Sequence, residues 1–263
     1  MIRAIFFDVD GTLVHFRQKY LSDRLLEDLA ALRRRGIKLF VCSGRAVQDF
    51  EGTGMLRGAR FDGYVTLNGQ YCCDEDGVPY RDRPIDPEDA RGAYRVLMDN
   101  PGIPALLEGS RESYLTQVND RVREIYEFLH TGLYPVRSPE WLLEGKIYQF
   151  VPFVAPGEER LFLDVMPGCR HTRWHPKGID IVPRDGGKGV GVRATMERYG
   201  LSRDQVMAFG DGENDMPMLE LAGVAVAMGN GEDQVKAMAH YVTDAVENDG
   251  VSKALRHFGL LPE

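Results

Sequence analysis

Positive charge is in short supply in this chain, with 32 lysines and arginines against 40 aspartates and glutamates, a formal net charge of -8 over 263 residues. Nucleic acid and anionic membrane surfaces reward a surplus of Lys and Arg, so neither is expected as the main partner. A small anionic substrate needs only a local positive site, part of which a metal ion can supply. Cysteine is equally scarce. Cys42, Cys72, Cys73 and Cys169 form no CxxC pair, and the neighbours Cys72 and Cys73 are poorly placed to bridge each other. They read as reduced, mostly buried thiols of a cytoplasmic protein, not as a disulfide framework or a redox site. No segment nears the roughly 20 apolar residues of a membrane span. The N-terminus runs straight into a short strand ending in acid, without the apolar core of an export signal. Internal repeats and low-complexity stretches are missing as well.

What is present is enough for a packed interior, since 43% of the residues are hydrophobic and 10% aromatic. The length exceeds most single cores and falls short of two full-sized domains, which favours one domain carrying a large insertion. From the start, AIFFDVD reads as a strand, SDRLLEDLAALRRRG as an amphipathic helix ended by Gly36, IKLFVCSGR as a second strand and DGYVTLNG as a third that stops at Asn68-Gly69. This β-α-β-(loop)-β order opens a parallel sheet covered by helices on both faces. The same grammar returns late in the chain, with GKGVGVRATMERYG as helix, QVMAFGDG as strand, MPMLELAG as helix and VAVAMGNG as strand. EDQVKAMAH then reads as a helix, YVTD as a short strand and GVSKALRHFG as a closing helix. Residues 1–81 and 186–263 therefore read as halves of one α/β core. Between them, residues 82–185 form a smaller α+β domain, in which DPEDARGAYRVLMDN and DRVREIYEFLH are helices with Asp86 and Asn119 as caps. ALLEG, ESYLTQ, KIYQFVPFV, RHTRWH and GIDIVP are its strands.

The chemistry collects where the core strands end. Residues two apart on a strand face the same way, so Asp8 and Asp10 leave the first strand on one side, and open parallel sheets bind ligands beyond the carboxyl ends of their strands. Asp-Gly is also a common turn dipeptide, so this pair alone decides nothing. Other strand ends supply what is missing. The second ends in CSGR, where Ser43 brings a hydroxyl, Gly44 an unobstructed amide and Arg45 a positive charge, all suited to an oxyanion. DGEND places Asp211, Asn214 and Asp215 within five residues, and GGKG sets Lys188 at a glycine-rich helix start, where the helix dipole favours phosphate. Carboxylates for a hard cation thus converge with donors for a phosphoryl group, and Mg²⁺ would relieve the repulsion among the acids.

With those motifs in this order, the sequence resembles the haloacid dehalogenase superfamily of phosphatases, Cof-type branch (subfamily IIB). DVDGTLV resembles the first motif, VCSGR the second, Lys188 in GGKG the third and GDGENDMPML the fourth. The resemblance spans the chain and implies a doubly wound, parallel-sheet, Rossmann-like α/β core with an inserted α+β cap of the C2B type. It implies Asp8 as the nucleophile that takes the phosphoryl group and Asp10 as general acid and base. By the same resemblance Mg²⁺ is held by the Asp8 carboxylate, the Asp10 main-chain carbonyl and Asp211. Phosphate is cradled by the Val9 and Asp10 amides, Ser43, Gly44, Lys188 and Asn214. Asp215 is expected to orient metal waters. Asp10 must deliver a proton at neutral pH, so limited solvation and carboxylate neighbours are expected to raise its pKa.

Weaker signals complete the reading. PRDGGKG is not a nucleotide-binding P-loop, because Val182 and Gly189 stand where Gly and Ser or Thr are required. His171 and His175 in HTRWH are four apart, but Thr172 and Trp174 suggest a strand, so they read as surface histidines. Asn68, Arg45 and Asp180 are candidate substrate contacts, each weighed against an ordinary turn, a surface salt bridge and a solvated acid. The expected activity is Mg²⁺-dependent hydrolysis of small phosphomonoesters, sugar phosphates above all, through an aspartyl phosphate. The alternatives are a phosphomutase acting on hexose phosphates and, from another class, a phosphorylated signalling receiver, which the length and DxDGT disfavour. The expected partner is a small phosphorylated metabolite, and the chain is expected to be a monomer or homodimer.

Overall fold

In the computed structural model, which describes residues 1–15, 20–129 and 131–262, the chain divides into two compact units. One is built from residues 1–82 and 187–263, the other from residues 83–186.

The first unit begins with β1 (Ala4–Phe7), α1 (Asp23–Arg34), β2 (Lys38–Cys42), α2 (Val47–Thr53) and β3 (Gly63–Thr66). A hairpin of β4 (Tyr71–Asp74) and β5 (Pro79–Asp82) follows. All four residues of β1 are buried, as in a strand covered on both faces, and its side chains alternate between two cores. Ile5 and Phe7 pack with Leu39, Val41, Met207 and Phe209 against Leu25, Leu29 and Leu32 of α1. Ala4 and Phe6 join Phe40, Val65 and Ala208 on the other side. Helix α1 starts at Ser22, whose hydroxyl accepts the Leu25 amide at 3.2 Å, and its leucines at i, i+4 and i+7 form the buried stripe. The stacked pairs Phe6–Phe40 and Phe7–Phe209, with centroids 4.8 and 5.2 Å apart, tie β1 to both neighbouring strands.

In the second unit the order is α3 (Pro87–Asp99), β6 (Ala105–Glu108), β7 (Ser113–Leu115), α4 (Asp120–Leu129), α5 (Trp141–Glu144), β8 (Gln149–Pro152), α6 (Arg160–Leu163), β9 (Cys169–His175) and β10 (Gly178–Pro183). The strands make an antiparallel sheet in the order β7-β6-β8-β10-β9. Leu107, Phe150, Ile179 and Ile181 pack with α3, α5 and α6, while Leu106, Leu115 and Val151 pack with Val122, Ile125 and Tyr126 of α4. Asn119 caps α4 by accepting the Val122 amide, as expected. Asp86 stands at the N-cap of α3 but makes no cap bond there, because Arg83 takes its carboxylate. His130, the last residue of the expected helix, lies outside the described residues.

The chain then re-enters the first unit through α7 (Lys188–Tyr199), β11 (Val206–Gly210), α8 (Met216–Leu221), β12 (Val224–Ala227), α9 (Asp233–Met238), β13 (Tyr241–Val242) and α10 (Gly250–His257). The sheet order is β13-β12-β11-β1-β2-β3-β4-β5, parallel from β13 through β3. The late block therefore lies beside β1 in one α/β sheet, the doubly wound arrangement expected. The short helices α5 and α6 of the other unit were not expected, and in this unit two further features were not. The loop after β2 contains α2, and the sheet extends past β3 by the antiparallel β4–β5 hairpin. All four cysteines are buried, and none is in a disulfide. Among the described residues no helix is long and apolar enough to cross a membrane.

Candidate active site

The central strand β1 delivers Asp8 to the carboxyl edge of the sheet, and its amide still pairs with the Phe209 carbonyl at 3.0 Å. A tight turn follows, in which the Val9 carbonyl accepts the amides of Leu13 and Val14 at 3.0 and 2.9 Å. Gly11 sits at φ +91° with the Asp211 carboxylate against it, so a Cβ there would lie 2.1 Å from Asp211 Oδ2. No side chain fits at that position, which is why Gly follows Asp10.

Lys188, the first residue of α7, is the buried hinge of the charge arrangement. Its ammonium donates to Asp8 Oδ1 and to Asp215 Oδ1, both at 2.6 Å, and all three side chains are almost fully buried. Burial alone would pull the ammonium down, but Asp215 and Asp8 hold it well above its ordinary value. The acids feel the converse. Burial first, and then Asp215, push Asp8 up to about 7 against the pull of Lys188. Burial and the nearby Asp8 and Asp215 push Asp211 up to about 8.

Asp10 has a different neighbour from the one expected. Arg45 grips its carboxylate in a two-pronged pair, Nε to Oδ2 at 2.6 Å and Nη2 to Oδ1 at 2.8 Å. The pair is about 28% exposed on each side, so Asp10 is neither sealed from water nor crowded mainly by acids. Arg45 thus belongs to the cluster and not to a remote surface salt bridge. Ser43 is buried, and its hydroxyl accepts the Arg45 amide at 3.1 Å. Asn214 donates to Asn68 Oδ1 at 3.2 Å, and the Asn68 amide group packs against Gly44. Val9 is fully buried within the turn. Asp180, on β10 of the second unit, accepts the Trp174 indole at 2.7 Å. His171 and His175 lie on a strand, β9, as Thr172 and Trp174 indicated.

Asn230 was not singled out from the sequence. It follows β12 on the same sheet edge, and its amide donates to the Gly11 carbonyl at 2.8 Å and to Asp211 Oδ2 at 3.3 Å, while its Oδ1 accepts the Val246 amide. The signal was the position of GNG after a parallel strand, without an acid to draw the eye.

The donor set suits a divalent cation. Among the described residues, Asp8, Asp211 and Asp215 form a group whose ligand atoms lie within 4.8 Å of one another. Asp215 is already occupied, with Lys188 on Oδ1 and the Asp211 and Gly212 amides on Oδ2 at 2.9 and 3.1 Å. Asp8 Oδ2 is buried and meets no donor among the described residues. Among the described residues Lys188 and Arg45 are the cations that contact Asp8, Asp10 and Asp215, so with all four acids ionised two negative charges would remain uncompensated. An all-oxygen set with that deficit fits a hard ion such as Mg²⁺.

The sequence model of the haloacid dehalogenase-like hydrolases matches residues 5–255. The chain belongs to that family. Similar to this haloacid dehalogenase-like hydrolase over nearly its whole length is the 5-amino-6-(5-phospho-D-ribitylamino)uracil phosphatase YcsE of Bacillus subtilis, 40% identical with 98% of this chain and 96% of that protein covered. Among solved structures, the family phosphatase BT1666 of Bacteroides thetaiotaomicron superimposes with a TM-score of 0.89 at 30% identity, covering 99% of this chain and 96% of that one. The subclass IIB sugar phosphatase BT4131 does so with a TM-score of 0.83 at 32% identity, over 98% of this chain and 100% of that one. The resemblance seen in the motifs is therefore confirmed, and this haloacid dehalogenase-like hydrolase is a phosphatase of the IIB, Cof-type group.

Proposed function

We propose that the chain hydrolyses small phosphomonoesters with Mg²⁺ through a phosphorylated Asp8, and that phosphorylated sugars or sugar alcohols are its substrates. The observation that carries this reading is the state of Asp8, buried, gripped by Lys188 on one oxygen and met on the other by no donor among the described residues, within 4.8 Å of a carboxylate of Asp211. Such a carboxylate is oriented and partly discharged, as a nucleophile for an anionic phosphate must be. Asp8, Asp211 and the Asp10 carbonyl would hold the ion, with Asp215 fixing the Asp211 backbone. When bound, Mg²⁺ supplies the charge that lets two anions approach.

The phosphoryl oxygens are received by Lys188, Ser43, the Gly44 and Val9 amides and Asn214. Asp10 gives a proton to the leaving oxygen and takes one from the water that cleaves the acyl phosphate, so its pair with Arg45 must open during turnover. Leaving-group choice falls to the inserted unit of residues 83–186, read as a cap, with Asp180 a candidate contact. The sugar assignment is supported by the names of YcsE, whose substrate is a phosphorylated ribityl compound, and of BT4131, a sugar phosphatase.

The test is phosphate release from p-nitrophenyl phosphate and from a panel of phosphorylated metabolites. The expected result is Mg²⁺-dependent turnover abolished by EDTA, with kcat/KM highest on sugar or polyol phosphates. Activity that survives chelation would remove the metal, and a ranking led by non-sugar phosphates would remove the substrate class.

A further inference from the structure

Three consecutive residues after β3 adopt left-handed backbone: Leu67 at φ 52°, Asn68 at 53° and Gly69 at 82°. This backbone is strained for Leu, and non-glycine residues held there mark sites where the surroundings over-determine the backbone. The surroundings here are the three other loops of the site. The Leu67 amide donates to the Arg45 carbonyl at 3.1 Å and the Asn68 amide to the Ser43 carbonyl at 3.0 Å, stitching the turn to the loop after β2. Asn68 Oδ1 accepts from Asn214 in the loop after β11. Gly69 lies so close to the start of α7 that a Cβ would fall 2.3 Å from the Gly187 oxygen, one residue before Lys188. The Asn68 amide group also backs Gly44, whose own Cβ would lie 3.3 Å from Asn68 Nδ2.

We infer that Asn68 is a positioning residue for phosphate binding. Its backbone and side chain set the loop of Ser43 and Gly44 and the side chain of Asn214 at the spacing one phosphoryl group requires. The inference rests on the phosphatase reading and deepens it, by assigning Asn68 to the phosphate cradle and not to the leaving group. The Asn214 amide has one side held by Asn68, so its rotation is fixed before substrate arrives, which is how outer partners orient the groups that touch ligand.

The informative variant is Asn68→Gly. Glycine adopts the left-handed backbone without steric strain, so the turn keeps its shape while the side chain is lost. With p-nitrophenyl phosphate as substrate and inorganic phosphate as inhibitor, the expected result is a rise of about tenfold or more in both KM and the inhibition constant. The Mg²⁺ concentration for half-activation should stay at its wild-type value and the melting temperature should fall by a few degrees at most, since the bonds described here run from Asn68 to the loops of Ser43 and Asn214. Wild-type phosphate binding in Asn68→Gly would overturn the inference while leaving the phosphatase reading intact. So would a loss of phosphate and Mg²⁺ affinity together with the melting temperature, which would mark Asn68 as a packing residue. A wild-type protein that neither hydrolyses the ester nor binds phosphate would overturn the phosphatase reading itself, and this inference with it.

Discussion

At the scale of single residues, Lys188 is the cation on which the acidic cluster depends. It is about 1% exposed and bridges two carboxylates that no other cation contacts among the described residues. Removing one partner of a buried ion pair leaves uncompensated charge and costs about 3–5 kcal/mol. Lys188→Met is therefore expected to lower unfolding free energy by about that amount in EDTA, measured by urea denaturation at pH 8, where the acids are most ionised. Added Mg²⁺ should recover part of the loss, since it neutralises the same carboxylates. A variant as stable as wild type would show that Asp8 and Asp215 are neutral in the folded chain without Lys188. Arg45 shows what a sequence withholds at this scale. Its type and motif pointed to an oxyanion, but its partner, Asp10, lies 35 residues away on another strand end, and no local spacing encodes that pairing.

The elements explain why so much of the site was legible. Parallel strands buried on both faces leave apolar runs that announce themselves, and each ends at the same sheet edge, so AIFF, KLFVC and VMAFG located Asp8, Ser43 and Asp211 before any geometry was known. The β4–β5 hairpin escaped because its signals are weak. Tyr71, Cys72 and Cys73 are buried without alternation, β5 is half exposed, and the pairing register shifts between Cys72 and Cys73. The available signal was the turn, where Asp74 Oδ1 accepts the amides of Asp76 and Val78 and Gly77 takes φ +77°. The turn after β1 makes a sharper demand. In Gly11→Ala the new methyl group would displace the Asp211 carboxylate and strain the backbone at once. The expected effect is a weakening of Mg²⁺ activation by about 10–100-fold, read from a titration of activity against Mg²⁺, with the far-ultraviolet circular dichroism unchanged. Wild-type activation would mean that Asp211 does not hold the ion.

For the whole molecule, the crowded acids make stability depend on pH in a direction opposite to the usual carboxylate. Asp8 and Asp211 titrate near 7 and 8 in the folded chain against 3.8 ordinarily, so between about pH 4 and pH 8 the folded state holds protons that the unfolded state has released. Their contribution to stability is therefore lost as pH rises through that window. Other acids act oppositely, among them Asp28, which burial would raise but Arg256 and Ser252 hold low. The difference between melting temperatures with Mg²⁺ and with EDTA isolates the cluster. That difference should grow from pH 5 to pH 8, because at the lower pH the metal must displace protons from its own ligands. An equal gain at both values would show that the buried acids are not those that bind the ion.

If Asp8 itself carries the phosphoryl group, the acyl phosphate can be trapped during turnover. Wild-type protein turning over p-nitrophenyl phosphate with Mg²⁺ is quenched with borohydride, which reduces an acyl phosphate to the alcohol, and the peptide bearing residue 8 is read by mass spectrometry. Conversion of Asp8 to homoserine, dependent on substrate and lost in Asp8→Asn, is the expected result. Full turnover with residue 8 unmodified, or with the modification on another acid, would contradict it.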